Sequence, residues 1–216
     1  MREMDDIEGT ISDYTRAIEF DPDNNSIYED RSRLYGEIGK HDLALADIDT
    51  IIKKAPSPNS RHYVLRGKTL QKSGDEEGAI KEYTKGIEIN SGLWQAYVER
   101  AEIYEKRGNY DLALADYTTL ILRNPKSAAW HRGRAEIYYR MGNMKLAAEG
   151  FEKTLELIGK DAKSEYFLGE IYETHYKDKE KALVYYRLTV ENNANTVVQK
   201  EVRKKALEAI QRLEEQ

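Results

Sequence analysis

Small and apolar residues recur along the chain with a period of 34 or 35 residues. Alanine holds one position of the pattern in every copy, namely Ala44, Ala79, Ala113, Ala147 and Ala182. Two further columns keep the same phase, one aromatic or aliphatic (Tyr35, Leu70, Tyr104, Tyr138, Tyr172) and one small (Ser32, Gly67, Ala101, Ala135, Gly169). A period of this length is typical of stacked supersecondary units, each of which needs its neighbours to bury its apolar face.

Each copy of the pattern predicts a helix, a tight turn and a second helix. Glycine follows the first helical stretch in four copies, at Gly39, Gly74, Gly108 and Gly142, and only glycine reaches the left-handed conformation of helix ends freely. The residues that come next include the good N-caps Asp75, Asn109 and Asn143. Proline cannot continue a helix, and it stands at repeat ends at Pro22, Pro56 and Pro125.

The segment from Trp94 to Ser127 carries the pattern most fully, with Tyr97, Ala101, Tyr104, Gly108, Ala113, Tyr117 and Pro125. These residues stand at signature positions of the tetratricopeptide repeat family, which the chain resembles over nearly its whole length. The resemblance implies an all-α, right-handed superhelical solenoid of antiparallel helix pairs. We expect five units, at 25–59, 60–93, 94–127, 128–161 and 162–195. The fifth unit has one extra residue between Tyr172 and Ala182 and lacks the turn glycine.

The two ends of the chain differ from the repeats. Residues 1–24 predict the second helix of a partial N-terminal repeat, with an exposed apolar stripe of Ile7, Ile11, Tyr14, Ala17 and Ile18. A repeat without its first helix indicates either a fragment of a longer array or a native start whose exposed stripe something else covers, and we favour a fragment or a trimmed domain boundary. Residues 196–216 predict a C-terminal capping helix whose stripe is Val198, Val202, Ala206, Ala209, Ile210 and Leu213, since solenoids need a terminal cap with a polar outer face.

A charge pattern runs through the predicted units. Arginine precedes the small residue of the first helix in four units, at Arg31, Arg66, Arg100 and Arg134, and Leu168 stands there in the fifth. One helix upstream, an acid precedes the core position at Asp13, Asp47, Glu82 and Asp116, and Gly150 stands there where the arginine is missing. The sequence thus predicts four partly buried inter-repeat pairs, Asp13–Arg31, Asp47–Arg66, Glu82–Arg100 and Asp116–Arg134. Arginine suits them because its planar fork can bond a carboxylate twice.

Composition narrows the classes of function. The net charge of −5 disfavours nucleic-acid binding, which relies on a basic surface. The chain has no cysteine, hence no disulfide or thiolate zinc site, and this is consistent with a cytoplasmic location. No apolar run approaches the roughly 20 residues of a membrane span. The chain therefore predicts no nucleic-acid partner and no membrane span.

Residues for catalysis do not form a motif. The four histidines, His41, His62, His131 and His175, fall at unrelated positions of the repeat. Phosphate-binding glycine loops and metal-ligand spacings are missing from the sequence. We therefore expect a protein that is not an enzyme, with no catalytic residue, metal or cofactor.

The resemblance also implies where a partner binds, because the first helices of this family line a concave groove. The groove positions here are Arg33, Arg61, Val64, Lys68, Val98, Glu102, Arg132, Glu136, Tyr139 and Tyr166, with Glu29, Gln71 and Glu170 beside them. One subset of the family clamps chaperone C-terminal carboxylates with lysine, asparagine and arginine. The asparagines are missing here and acids intrude at Glu29, Glu99 and Glu102, so this clamp is rejected.

The groove predicts a protein or peptide partner with segregated charge, because the basic residues Arg61, Lys68 and Lys72 adjoin the acids Glu99 and Glu102. The expected function is a protein–protein interaction scaffold that acts as a monomer or self-associates weakly. The alternative is an assembly or regulatory module of a longer protein, which self-associates through the N-terminal helix.

Overall fold

The computed structural model describes residues 2–54, 59–192 and 196–215, with side chains from Asp6 onward. Pro56, one of the predicted repeat-end prolines, lies outside these residues. The described chain forms twelve α-helices and no strand: α1 Arg2–Phe20, α2 Asn25–Glu37, α3 His41–Lys54, α4 Ser60–Ser73, α5 Glu76–Ile89, α6 Trp94–Lys106, α7 Tyr110–Arg123, α8 Ala128–Arg140, α9 Met144–Ile158, α10 Ala162–Thr174, α11 Lys179–Glu191 and α12 Val197–Glu214. The predicted all-α class is confirmed.

The helices group into two compact units, Met1–Arg107 and Gly108–Gln216, which we call the N-terminal and the C-terminal unit. Within the N-terminal unit, each helix from α1 to α5 packs on the next one in the sequence, and α4 also touches α6. Within the C-terminal unit, α7 to α11 do the same, and α12 also packs on α10. None of the helices described is both long and apolar enough to cross a bilayer.

Left-handed glycines follow α2, α4, α6 and α8, as predicted. Gly39, Gly74, Gly108 and Gly142 have φ angles of 76°, 93°, 76° and 78°. In the pair α10–α11, Lys177 takes this conformation with φ 57°. A lysine side chain makes the left-handed region unfavourable, so the extra residue of this turn is accommodated at a strained position. Asp75 and Asn143 cap the following helices by accepting from the backbone N–H of Gly78 and Leu146.

The core of a helix pair is built where a large side chain of the second helix lies over a small residue of the first. A Cβ atom built on Gly67 would lie 2.5 Å from the Tyr83 ring, and one built on Gly169 would lie 2.6 Å from the Tyr186 ring. Both rings are fully buried. Their hydroxyls donate to Gln71 and Glu173 at 2.8 Å. The small column is therefore a requirement for close approach of the helices.

The apolar stripes of the end helices are partly covered. On α12, Val202, Ala206, Ala209 and Leu213 are buried, and Ala206, Ala209 and Leu213 join the cluster around Tyr186; Val198, predicted in the same stripe, is 54% exposed. On α1, Ile11 is buried, and Ile7 and Ile18 are half-buried. The prediction of an exposed N-terminal stripe is wrong for Ile11, because α1 packs on α2.

The contact between Gly169 and Tyr186 gives a direct test of the packing. Gly169→Ala should lower the free energy of unfolding by about 2 kcal/mol, because a buried ring must move to admit one methyl group. Gly9→Ala is the control: no heavy atom lies within 4 Å of its Cβ position, and alanine in place of a helical glycine should raise stability by about 0.5–1 kcal/mol. Chemical denaturation measures both. Similar stabilities for the two variants would contradict the packing described.

Candidate functional site

Two first helices of the N-terminal unit, α2 and α4, border a continuous depression that we call the N-terminal trough. It consists of two adjoining cavities of about 310 and 270 Å³. Arg33, Leu65 and Lys68 line both cavities. The other lining residues are Glu29, Ser32, Gly36, Glu37, Arg61, Val64, Thr69, Lys72, Leu93 and Gln95.

The trough has a mainly apolar floor and charged rims. Val64 and Leu93 lie on the floor and are buried, and the Cβ position of Gly36 has no heavy atom within 4 Å. Three cations of α4 share one helix face because they are spaced by seven and four residues: Arg61, Lys68 and Lys72. The α2 rim alternates in sign, with Glu29, Arg33 and Glu37 four residues apart.

Ion pairs neutralise only some of these charges. Lys68 Nζ lies 2.6 Å from Glu99 Oε1. Glu29 lies 3.5 Å from Arg33 Nη2 and 3.4 Å from His62 Nε2. Arg61 and Lys72 form no ion pair within the described part of the chain. Both ends of the α4 rim therefore keep a positive charge that only solvent or a partner can neutralise.

In the C-terminal unit, the predicted groove residues Arg132 and Glu136 of α8 bond to each other and to residues at the start of α10. Arg132 Nη1 donates to Asp161 at 2.6 Å, and Arg132 Nε lies 3.7 Å from Glu136. Lys163 Nζ donates to the other oxygen of Glu136 at 2.6 Å. The charges on this face of the C-terminal unit are therefore largely balanced internally.

Two tyrosines of the same face share one carboxylate. The hydroxyls of Tyr139 and Tyr166 donate to opposite oxygens of Glu170 at 3.1 and 2.7 Å. Burial and the Glu170 charge raise the pKa of Tyr139 to about 12, and the same causes raise the pKa of Tyr166. Both hydroxyls stay protonated at neutral pH. The Phe167 ring lies 4.8 Å from that of Tyr139 and 5.9 Å from that of Tyr166.

The trough contains four of the predicted groove residues, namely Arg33, Arg61, Val64 and Lys68. Val98 and Glu102 lie on α6 and do not line it, whereas Leu93 and Gln95, at the start of α6, line it without having been predicted. Leu93 holds the N-cap position of α6, where a polar side chain is usual. An apolar residue at an N-cap position is the feature of the sequence that could have indicated a place for Leu93 in the trough.

The arginines bond differently from the sequence prediction. Arg31 binds both carboxylate oxygens of Asp47, in its own helix pair, at 2.9 and 2.6 Å. Its third nitrogen donates to the Thr15 hydroxyl of the preceding helix at 3.0 Å. Asp13, the predicted partner, is exposed. The Asp13–Arg31 prediction is therefore wrong, although Arg31 does bridge two helix pairs.

Arg66 and Arg100 also bond to partners other than the predicted ones. Arg66 Nη1 donates to Glu82 at 3.1 Å, and its Nε lies 3.1 Å from Asp49, so the Asp47–Arg66 pair is wrong. Arg100 donates to Thr84 at 2.8 Å. Glu82, the predicted partner of Arg100, accepts from Arg66 instead. The Asp116–Arg134 pair stays a prediction.

The offset of 16 residues between Arg31 and Asp47, and between Arg66 and Glu82, has a steric cause. Each arginine precedes the small residue of its first helix, and each acid precedes the core residue of the second helix. Where Tyr83 lies over Gly67, the preceding residues Glu82 and Arg66 face each other too. The acid is thus directed to its own first helix and not to the next repeat.

Comparison with known proteins agrees with this architecture. Two family models, both described as tetratricopeptide repeat, match residues 98–164 and 61–92. Both segments of the chain are tetratricopeptide repeats. Tetratricopeptide repeat folds suggest a protein–protein interaction scaffold, and members of the family are generally non-enzymatic.

A curated relative shares part of the chain. The small glutamine-rich tetratricopeptide repeat-containing protein 2 of Mycosarcoma maydis is 31% identical over 85 residues. The match covers 39% of this chain and 24% of that protein. The chain thus spans about a quarter of the length of the curated relative it matches.

Two solved structures share the fold. The C-terminal part of a tetratricopeptide repeat protein from Cytophaga hutchinsonii has a TM-score of 0.74 at 20% identity, over 98% of this chain and 92% of that one. YrrB, described as a tetratricopeptide repeat protein with an unusual peptide-binding site, has a TM-score of 0.64 at 17% identity, over 88% and 97%. Both likenesses show an all-α helical repeat fold.

A double-mutant cycle tests the revised arginine pairing. Arg31→Ala and Asp47→Ala should couple by about 2 kcal/mol in the free energy of unfolding, because the pair is bidentate and little exposed. The cycle of Arg33 with Asp30 is the control. That pair is 3.4 Å apart and largely exposed, so its coupling should stay below about 0.5 kcal/mol. A larger coupling of Arg31 with Asp13 than with Asp47 would reverse the assignment.

Proposed function

We propose that the protein is a scaffold that binds a peptide or helix of a partner protein in the groove of its first helices. The observation that carries this proposal is the N-terminal trough, where Arg61 and Lys72 have no acid partner in the described part of the chain. A partner segment would pack against Leu65, which is half-buried and lines both cavities. Val64 and Leu93 are already buried, so charge contributes more to association here than further apolar burial.

The dimensions of the trough suit a short segment of chain. Helix α4 has 14 residues, so its side of the trough is about 20 Å long at 1.5 Å per residue. An extended chain covers that length with about six residues. YrrB has a peptide-binding site by its description, which supports the same use of the shared fold here.

The proposal extends to the groove positions outside the trough. Val98 and Glu102 of α6, and Arg132, Glu136, Tyr139 and Tyr166 of the C-terminal unit, are proposed further contacts of the partner. Their internal bonds in the C-terminal unit favour a role in which polar atoms exchange partners on binding. We also propose that the scaffold acts in the cytoplasm, without a catalytic step or a cofactor. Its proposed repeats are residues 25–59, 60–93, 94–127, 128–161 and 162–195.

A second candidate function is assembly through α1. One observation favours it: Phe20, at the end of α1, is 88% exposed. An exposed aromatic ring of this kind is a common anchor at protein interfaces. The partly buried stripe of α1 would then pack on a second copy or on another part of a longer protein.

A random peptide library displayed on phage tests the scaffold proposal without assuming the partner. Peptides enriched on the protein should bind at least tenfold more weakly to Arg61→Glu/Lys68→Glu, because the variant reverses two charges of the trough. Arg16→Glu/Lys81→Glu is the control, since it makes the same charge change on exposed residues of α1 and α5. Thermal unfolding should confirm that both variants fold.

Equal loss of binding in both variants would contradict binding in the trough. Light scattering of the same samples tests the second candidate. A dimer that depends on protein concentration, and that Phe20→Lys abolishes, would favour assembly through α1.

A further inference from the structure

We propose that the N-terminal trough recognises acidic side chains within an extended segment of the partner, and not a carboxylate at a chain end. This inference rests on the proposed function and names the chemistry of its ligand. It follows from the balance of charge, from the bonds already made by the lining residues, and from the spacing of the cations.

The trough is positive although the protein is negative. Its lining contains four cations, Arg33, Arg61, Lys68 and Lys72, and two acids, Glu29 and Glu37. The formal charge of the lining is therefore +2, from 4 minus 2, while the whole chain carries −5. A local field of sign opposite to the net charge attracts anionic segments and orients their approach.

The two acids of the lining differ in how strongly their charge repels an incoming carboxylate. Glu29 is engaged by Arg33 and His62, so its charge is partly compensated. Glu37 forms no ion pair among the residues described, and it lines the same cavity as Lys72. Glu37 therefore weakens the attraction at the Lys72 end of the trough. Removal of its charge should tighten the binding of an acidic ligand.

Two of the four cations of the trough have no ion pair to lose within the described residues. Arg61 and Lys72 can bind a carboxylate without the loss of an ion pair inside the described chain. Lys68 already contacts Glu99, but an ammonium group has three donors and can hold a second acceptor. Helix α4 thus offers two unpaired cations, Arg61 and Lys72, and between them Lys68, which would have to hold a ligand carboxylate in addition to Glu99.

The neutral donors of the trough do not suit a chain terminus. Ser32 and Thr69 donate their hydroxyl protons to the backbone carbonyls of Glu29 and Leu65. Gln95 supplies the one amide side chain among the lining residues. The cations of the rims therefore lie apart along the helix on long side chains, and this separation matches several acidic side chains better than one terminal carboxylate.

The spacing of the cations sets the spacing of the acids. Arg61 and Lys68 are about 10 Å apart along the helix axis, and Lys68 and Lys72 about 6 Å, at 1.5 Å per residue. An extended peptide covers these distances with about three and two residues. The expected ligand therefore has acidic residues at i, i+3 and i+5, with an apolar residue between them above Val64 and Leu93.

Fluorescence anisotropy with labelled peptides blocked at both ends tests the inference on the full chain. The probe has glutamates at i, i+3 and i+5 and one leucine between them. A peptide of the same composition with adjacent glutamates should bind about fivefold more weakly, because it cannot reach all three cations. A peptide with lysine in place of glutamate should show no binding.

Single variants separate a charge effect from a folding effect. Arg61→Ala and Lys72→Ala should each weaken binding about fivefold, the effect of one lost ion pair. Glu37→Gln should tighten binding about twofold, and a merely structural role would not produce this opposite sign. Lys81→Ala, exposed on α5, should leave the affinity unchanged.

Three results would overturn the inference, and the first two leave the proposed function standing. Library peptides that need Arg61 and Lys68 but are not acidic would support the scaffold and refute the acidic ligand. Binding only by peptides with a free C-terminus would assign the trough to a terminal carboxylate. Failure of the library to yield any ligand that depends on the trough would contradict both proposals.

Discussion

The structure depends on a steric constraint inside its helix pairs. In the α4–α5 and α10–α11 pairs, a buried ring of the second helix occupies the space that a larger side chain on the first helix would fill. Tyr83 lies over Gly67 and Tyr186 over Gly169, with hypothetical Cβ contacts of 2.5 and 2.6 Å. Interiors packed at this density transmit small changes of volume to their neighbours. The position of α4, which lines the trough, relative to α5 follows from this packing.

The arginines use the same register for a different purpose. Arg31 binds an acid of its own helix pair and a hydroxyl of the preceding helix. One side chain therefore forms hydrogen bonds to two helix pairs. In the α10–α11 pair, Leu168 holds the equivalent position and is fully buried. Desolvation offsets much of the attraction in a buried ion pair. We therefore assign the arginines a role in alignment, which an apolar residue replaces at the end of the array.

The sequence was informative where a residue type has one structural meaning. The turn glycines were predictable because a positive φ angle selects glycine, and Lys177 shows what happens when the glycine is missing. The arginine partners were not predictable from symmetry about a loop, because successive residues point about 100° apart on a helix. That rotation places Thr15, and not Asp13, within hydrogen-bond distance of Arg31. Leu93, which lines the trough, was not predicted because it lies at the boundary of α6, where the helical periodicity of the sequence ends.

Native-state hydrogen exchange of Gly67→Ala tests the steric constraint most directly. The account predicts faster exchange of the α4 and α5 amides by about tenfold or more, with smaller changes in α1, because repeat units are stabilised chiefly by their nearest neighbours. Unchanged exchange in α4 and α5, or an equal increase across α1 to α6, would contradict the claim that the ring contact of each pair determines its packing.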